Sequence, residues 1–555
     1  MSSVIVTTAT ATPALSGGGE VGSPVLEARP FDVRRFGAIW DGRSHPLRER
    51  FPTIERARAV YPFARSLEQQ VDFCATQGAI NAAAAAGGGC VWLPRGVGTM
   101  DDTLVIPEAR PFGDPGTQVD MRGEVWQGTR LRWTTDLGPG RFAISFGDPA
   151  ASRANRLGRY AADGMYEGLF EDFCIEGPNP PGALGAVHTR MSGLAWGARR
   201  TLRRIRVSRF YAGIDLVGDH SLWESVQTPD NFYGVYVAEP SDYMVGDNVY
   251  TKCFFTGCRM AAIAIHPRAC LPSGIYIGCY IGGAPYGVMK EERNGLTNPD
   301  NRLAAGVVFD RCMFEYIGNA MLEDRNFRET TATAISDLVD VQFRGLCYFQ
   351  WQDGNRIPAH PRRAIWNVGG LERVLVQGWG ATFAFVPGDD CLLRVGRIEN
   401  AALDLRWSEV FANLAKAGRP VFDASVTAAY SGRHATWQEG TLQGGFFAMT
   451  GPDSGGRVGK DEFVQLQRGA AARVSDQNLP LGVAQMAAEP GRWIGIATWG
   501  GAVRCRLAGP VTEGSPVFSN GTGAAVVMAG RQEGDLIGHV VRALESGYAE
   551  IALKL

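Results

Sequence analysis

At 555 residues, 45% of them apolar and with a net charge of −2, the chain is too long for one ordinary globular core and reads as several units or one elongated repetitive unit. The near-neutral balance, without a block of like charge, argues against nucleic acid as a partner. No apolar run reaches the roughly 18 residues of a membrane span, so no membrane insertion is expected. The 71 glycines follow no G-X-Y register, which excludes collagen and fits a chain that turns often and tightly.

Residues 1–30, rich in Thr, Ala, Ser, Gly and Pro, predict a flexible arm suited to attachment to a larger particle. Met1 to Glu20 lacks the basic start and apolar centre of a signal peptide. The eleven cysteines show no zinc or thioredoxin spacing and are expected as free, buried thiols. A helix is predicted over 66–86, with Ser66 as its N-cap and Leu67, Val71, Cys74, Ala75, Ile80 and Ala83 at near-helical spacing. Gly87, Gly88 and Gly89 stop it, and Cys90 to Pro94 is the first strand. The segment 43–71 before the helix is an insertion, read as a lateral loop or attachment feature.

From about residue 120 to 440, short apolar strands alternate with Gly, Asn and Asp turns, and long helical periodicity disappears. The triplet Val249, Cys253, Phe255 recurs as Ile275, Cys279, Ile281, then as Val308, Cys312, Phe314, and again as Phe343, Cys347, Phe349. Successive cysteines are offset by 26, 33 and 35 residues, with polar insertions such as 291–302 accounting for the longer intervals. Ala262 to Ile265, Gly287 to Met289 and Asn319 to Leu322 supply a second strand after each Cys strand. One such coil cannot bury its own apolar face, whereas coils stacked about 4.8 Å apart bury a continuous one. The cysteines are therefore expected in one inward ladder. The fold class predicted is all-β: a single-stranded right-handed parallel β-helix over 31–440 with a capping helix. Gly-Gly and Gly-Pro-Asp runs predict a linker over 441–460, and 461–555 predicts a small C-terminal β domain.

The stretch Phe36-Gly37-Ala38, Asp41-Gly42, Val71-Asp72, Gln77, Ala79 to Ala83, Gly87 to Gly89, Val91 and Leu93 to Gly96 resembles the N-terminal cap and first coil of pectin-lyase-like β-helix spikes of phages. The resemblance covers about 60 residues and departs from that family in the long insertion 43–71. Leu481 to Ala484, Gly501 to Val503, Gly514 to Val517 and Gly534 to Gly538 are similar to β domains of phage capsid-decoration proteins. Together these ends imply a virion component, head spikes of gene transfer agents included.

Extended glycans are bound by aromatic faces with Asp, Asn and Arg nearby, and the strip 223–247 is densest in such groups. Trp223, Tyr233, Tyr236 and Tyr243 are the candidate carbohydrate-binding residues. Glu239, Asp242 and Asp247 are the candidate carboxylates for a hydrolytic pair, although each also suits an ordinary turn. Gly388-Asp389-Asp390 lacks the companion motifs of polygalacturonases and reads as a turn. Glu323-Asp324-Arg325 reads as a solvated edge. No metal site and no cofactor is expected: His266 and the other histidines have no ligand spacing, and there is no phosphate loop.

The expectation for function is a virion spike, head spike or tailspike, that binds host surface polysaccharide and possesses or lacks the power to depolymerise it. Its partners are that polysaccharide and other virion proteins, its assembly a homotrimer as the resemblance implies, and its location the virion surface after assembly in the host cytoplasm and lysis. The alternatives are a secreted polysaccharide lyase or glycoside hydrolase, and a purely structural spike base.

Overall fold

The computed structural model describes residues 29–107, 118–146, 168–180, 191–196, 200–216, 220–238, 246–292, 302–325, 337–357 and 364–376, a few single positions aside, and beyond these the backbones of strands between 379 and 553. The expected arm 1–30 lies almost wholly outside the described residues. From Phe31 onward the chain winds into a parallel β-helix. Among the described residues, the pairings between the named strands from Phe31–Asp32 to Ala402–Asp404 are parallel, because each coil repeats the direction of the one before it.

Three rows of strands define three faces. Face 1 runs Leu222–Glu224, Asn248–Thr251, Gly274–Ile277, Val307–Asp310, Gln342–Arg344 and Leu375–Val376. Face 2 runs Phe254–Phe255, Tyr280–Ile281, the start of Met313–Asp324, Cys347–Trp351 and Trp379–Ala381. Face 3 runs Ala212–Leu216, Tyr233–Val237, Ala261–Ile265, Ala284–Lys290, the end of Met313–Asp324 and Ala364–Glu372.

The interior is laddered by residue type. On face 1, Trp223, Tyr250, Tyr276, Phe309 and Phe343 stand in register. Tyr250 stacks on Tyr276 at 4.3 Å between centroids, Tyr276 on Phe309 at 4.9 Å and Phe309 on Phe343 at 5.1 Å. Trp366, from face 3, continues the stack on Phe343 at 5.2 Å.

Cys253, Cys279, Cys312 and Cys347 are all buried and form the expected inward ladder. Each Sγ donates to a carbonyl one coil back: to Trp223 O at 3.5 Å, Tyr250 O at 3.3 Å, Tyr276 O at 3.2 Å and Phe309 O at 3.5 Å respectively. Burial pushes the thiols of Cys253, Cys312 and Cys347 up, and all nine described cysteines are free.

Of the first members of the predicted triplets, Phe343 is buried in the interior ladder and the other three face outward. Ile275 is 43% exposed and Val249 and Val308 face outward with it, the inward residues being Tyr250, Tyr276 and Phe309. The cause is one left-handed residue between the first strand and the cysteine. Lys252, Gly278, Arg311 and Gly345 have φ of 50°, 57°, 52° and 61°. A left-handed residue bends the chain and resets which side chains point inward. These corner residues are themselves stacked: Lys252 N–H donates to Ile277 O, Gly278 to Asp310 O and Arg311 to Arg344 O.

The capping helix spans Val71–Ala85, not 66–86, and its N-cap is Gln70 without a side-chain cap bond. Ser66 is not the cap because 65–70 is spent on a turn: Gln69 Oε1 accepts from Arg65 N at 2.5 Å and Asp101 Oδ2 accepts from Gln70 N at 2.9 Å. The helix is buried nearly all round because the insertion 43–70 packs against it. Leu47 and Ala57 of that insertion are fully buried, and Tyr61 Oη donates to Phe36 O at 2.6 Å. Asp72 of the helix accepts from Ile39 N at 2.6 Å, Trp40 N at 3.1 Å and Thr99 N at 3.1 Å. One carboxylate thus ties the Phe36–Gly42 stretch to the first coils.

Pairing turns antiparallel where Ala435–Gln438 meets Leu442–Met449, and Leu442–Met449 also pairs antiparallel with Trp493–Gly500. Residues 442–449 are therefore a strand and not part of a linker; 450–462 lie outside the described residues. Antiparallel pairing continues through 502–506, 516–519, 538–544 and 548–553.

Candidate functional site

The outer side of face 3 carries a second apolar cluster, separate from the interior. Tyr233, Tyr236, Ala261, Ala264, Tyr286, Met289 and Ala320 are buried in it, with Tyr211, Phe232, Met260 and Ile357 packed at its margin. Along the helix axis one outward row reads Asp215, Tyr236, Ala264, Met289, Glu323, Asn367. A neighbouring row reads Ala212, Tyr233, Ala261, Tyr286, Ala320. In the second row, large and small residues alternate from one coil to the next.

Polar chemistry gathers where the face 3 strands end. The Tyr233 and Tyr236 rings stack at 5.6 Å and both phenols reach Glu291: Tyr233 Oη donates to Oε1 at 2.6 Å and Tyr236 Oη to Oε2 at 2.8 Å. Glu291 is placed by its own N–H, which donates to Ile265 O at 3.0 Å. Arg325 stands one coil further on, its N–H donating to Lys290 O at 3.2 Å and its guanidinium to Glu292 Oε1 at 2.7 Å. Asn367 Nδ2 donates to Glu323 Oε1 at 2.9 Å. Burial pushes the Tyr233 phenol well above its ordinary value, and Glu291 beside it adds to the rise. Tyr286 is raised by burial and then by the nearby Glu323 carboxylate. Both phenols therefore stay protonated donors.

At the other end of the same strands, Tyr211 and Phe232 stack at 5.2 Å with planes 9° apart. Both rings are half-buried, and the Arg259 guanidinium lies 5.8 Å from the Phe232 centroid. Half-exposed, immobilised rings beside hydrogen-bonding groups are the elements with which proteins hold pyranose rings.

The structure revises the sequence-derived site. Trp223 is fully buried, packed edge-on against Tyr250 and Phe255 at 5.1 and 6.2 Å, so it builds the core and offers no ring to a ligand. The rings of Tyr233 and Tyr236 are buried too, at 3% and 6% exposure, and only their hydroxyls take part in the site. Asp247 is an exposed corner residue at φ 54°, with Ser273 Oγ donating to it at 3.0 Å and His220 at 3.5 Å. Glu239, Asp242 and Tyr243 lie outside the described residues, as does Gly388-Asp389-Asp390. Glu224, in the same strip, is taken up by Arg203 at 2.9 Å.

Glu323-Asp324-Arg325 is no solvated edge: Glu323 is 6% and Asp324 0% exposed. Sequence reading leaves out Glu292, Asn367, Tyr211 and Phe232, takes Glu323 for a solvated edge, and ranks the loop around Glu291 behind the strip 223–247. A signal existed, since Glu291 lies two residues after the second-strand segment Gly287 to Met289 and Glu323 directly follows Asn319 to Leu322. Among the described residues, no group of three or more His, Cys, Asp or Glu is arranged to hold a metal ion, and no helix is long and apolar enough to cross a membrane.

Elsewhere the outer surface of faces 1 and 2 carries apolar side chains in register. Leu222, Val249, Ile275 and Val308 form one row and Phe254, Tyr280 and Met313 another. Leu222, Ile275, Phe254 and Met313 are 39–45% exposed.

No family model matches the chain, and no curated protein matches it. Similar solved structures include the tailspike gp61 of Pseudomonas phage phi297, 13% identical with a TM-score of 0.39, covering 84% of this chain and 95% of that one. The tailspike gp49 of Pseudomonas phage LKA1 is 14% identical, with a TM-score of 0.34 and coverage of 84% and 96%. The catalytic unit of a GH87 α-1,3-glucanase from Streptomyces thermodiastaticus strain HF3-3 is 12% identical, with a TM-score of 0.38 and coverage of 76% and 70%. At such identities these likenesses concern fold alone.

Proposed function

We propose that this chain is a spike of a phage-like particle that binds surface polysaccharide at the margins of face 3, where Tyr211, Phe232 and Glu291 are partly exposed. The observation that carries the reading is Glu291, fixed by the phenols of Tyr233 and Tyr236, on the same strands as the half-exposed Tyr211–Phe232 pair. A β-helix offers an extended lateral surface on which successive sugars meet successive coils. The N-terminal motif Phe36 to Gly42, whose resemblance is to phage spikes, supports the virion setting. Assembly as a homotrimer fits the same reading: packing of three chains covers the apolar rows of faces 1 and 2. The division into an arm, a β-helix and a separate antiparallel C-terminal unit belongs to this proposal, with the arm or the C-terminal unit contacting other virion proteins.

The test is retention of bacterial capsular and O-antigen polysaccharides on immobilised protein. Phe232→Ala should weaken retention by about 1–3 kcal/mol, the worth of a stacked ring at a binding hot spot, with the thermal midpoint little changed. Retention equal to that of the unaltered protein would exclude this surface as the binding site.

A further inference from the structure

We infer that the outer surface of the strands Thr129–Trp133, Leu169–Glu176 and Thr201–Ser208 is a binding site for a dianionic phosphate group, held by Arg130, Arg132, Arg206 and Arg209. These strands lie side by side in parallel register, in coils that precede the apolar rows of faces 1 and 2. A bridge from Arg206 through Gln227 to Phe254 carries their row into face 2. The site borders the Tyr211–Phe232 pair, since Arg209 precedes Tyr211 by two residues, but its chemistry requires no glycan to bind there.

Leu131, Ile175 and Val207 are register partners in the interior, so the residues on either side of them point outward. One outward row reads Arg130, Cys174, Arg206 and the next reads Arg132, Glu176, Ser208. Arg130 and Arg206 thus flank the small Cys174 side chain, two strand spacings or roughly 10 Å apart at the backbone. Arms of that length reach a group placed between them.

Charge is out of balance here. Glu176 accepts from Arg132 Nε at 2.9 Å, from Arg209 at 2.5 Å and from Arg130 at 3.3 Å. Arg206 has no carboxylate partner among the described residues. Four guanidinium groups therefore share one bonded carboxylate. Asp230 is the other acid that acts on Arg209, and with it counted two positive charges stay unmatched.

A neighbouring ladder in the same coils shows the balanced case. Arg122, Arg203 and Arg204 face Glu171, Asp172 and Glu224. Arg204 grips Asp172 at 2.5 and 2.8 Å, Arg203 bonds to Glu224 at 2.9 Å and Glu171 at 3.4 Å, and Arg122 lies 3.3 Å from Glu171. The guanidinium groups register the difference. Arg204 is raised above its ordinary value, chiefly by its bond to Asp172. Arg209 is lowered by burial, and Arg132 and Arg130 add to the fall against Glu176 and Asp230. A guanidinium lowered while it touches a carboxylate has too much like charge around it.

Guanidinium forks hold oxyanions through paired N–H donors. A carboxylate brings one charge, whereas a phosphate monoester brings nearly two and three acceptor oxygens. That matches the excess and lets one group engage more than one fork. Free orthophosphate and a phosphate monoester carried on a sugar share this chemistry.

The test is isothermal titration calorimetry of full-length protein with inorganic phosphate and with glucose 6-phosphate, at constant ionic strength set by potassium chloride. Saturable binding is expected at about pH 7.5 and should weaken towards about pH 5, where a monoester with a second pKa of about 6 keeps one charge. Tighter binding of glucose 6-phosphate marks the sugar-borne group as the ligand; equal or tighter binding of inorganic phosphate marks the free anion. Arg206→Gln leaves every bond to Glu176 in place and should weaken binding at least about tenfold, the share of one charge-assisted hydrogen bond. Arg203→Gln, in the balanced ladder, should change it less than about twofold, because screened charges at a distance contribute little. Arg130→Gln takes the place of Arg206→Gln if circular dichroism shows the latter unfolded. Absence of saturable heat with both anions overturns the inference. So does a folded Arg206→Gln or Arg130→Gln protein that binds like the unaltered chain, or an equal loss in Arg203→Gln. Polysaccharide retention at face 3 is read in its own assay, so either proposal can fail while the other stands.

Discussion

The phenol of Tyr233 donates to Glu291 across 2.6 Å although 58 residues separate the two in sequence. Coil stacking closes that gap: face 3 brings Tyr233 beside Ala261 and Ala261 beside Tyr286, and the chain then needs only five residues to reach Glu291. The contact therefore reports the register of three coils at once. Tyr233→Phe should cost about 1.5–3 kcal/mol of stability, the range for a hydrogen bond to a charged group. Chemical denaturation with a two-state fit to the β-helix transition measures it, and a loss under about 0.5 kcal/mol would mean the contact is not maintained in solution.

Trp223 separates core packing from glycan binding. Because its ring is fully buried at one end of the aromatic ladder, Trp223→Ala should destabilise the coil by about 3–5 kcal/mol. Retention of polysaccharide, measured at a temperature where the variant remains folded, should be unchanged. Loss of retention with unchanged stability would put the ring on the surface and contradict the ladder.

The thiol ladder predicts reactivity. Cys253, Cys279 and Cys312 are fully buried, and burial holds the neighbouring thiol of Cys347 up at about 11. Maleimide should leave all four unmodified in native protein at neutral pH and modify them on unfolding, since the thiolate is the reactive form and needs access. Mass spectrometry of the labelled peptides reads the result. Native labelling of Cys312 would contradict the inward stack.

Asp101 sets a pH dependence at the capping end. Burial is the main cause of its pKa being pushed up to about 6, above the ordinary carboxyl value of about 4. The native state then holds this proton more tightly than the unfolded chain. This group's contribution therefore improves as pH falls from about 6 towards 4, and it costs stability above pH 6. Asp101→Asn keeps an acceptor for the Gln70 N–H and removes the charge. It should raise the thermal midpoint at pH 7 by a few degrees, with the difference gone by about pH 4. An equal effect at both pH values would show that charge burial is not the cause.

The exposed rows on faces 1 and 2 bear on assembly. Light scattering at micromolar concentration should give a trimer for the unaltered chain, and Ile275→Lys combined with Met313→Lys should shift it to monomer with the β-helix intact. A monodisperse monomer of unaltered protein would remove the trimer from the proposed function.

What the sequence made legible was whatever repeats. The cysteine offsets, the second-strand segments and the glycine-rich turns point to stacked coils because every coil must solve the same burial problem. Which residues of a coil face inward was not legible, because the corner that resets the alternation is occupied by Lys252 and Arg311 as readily as by Gly278 and Gly345. A left-handed lysine leaves no mark in composition. The start of the capping helix was misplaced for a similar reason: the Gln69 side chain closes a local turn on Arg65 N, and the Gln70 N–H is held by the distant Asp101 carboxylate. The site was the least legible part, since a dense aromatic strip in sequence places Trp223 inside and Tyr233 outside. Its carboxylates arrive from two later coils whose spacing is set by insertions of irregular length. Only the position of Glu291 and Glu323 just beyond repeating strand segments hinted at them.

Whether face 3 is where polysaccharide meets the protein is tested most directly by hydrogen–deuterium exchange with and without a retained polysaccharide. Added protection is predicted in peptides covering 211–212, 232–237, 286–292 and 320–325, with no change along 222–224, 248–251 and 274–277. Protection confined to the antiparallel strands between 463 and 553, with face 3 unaltered, would contradict binding at face 3.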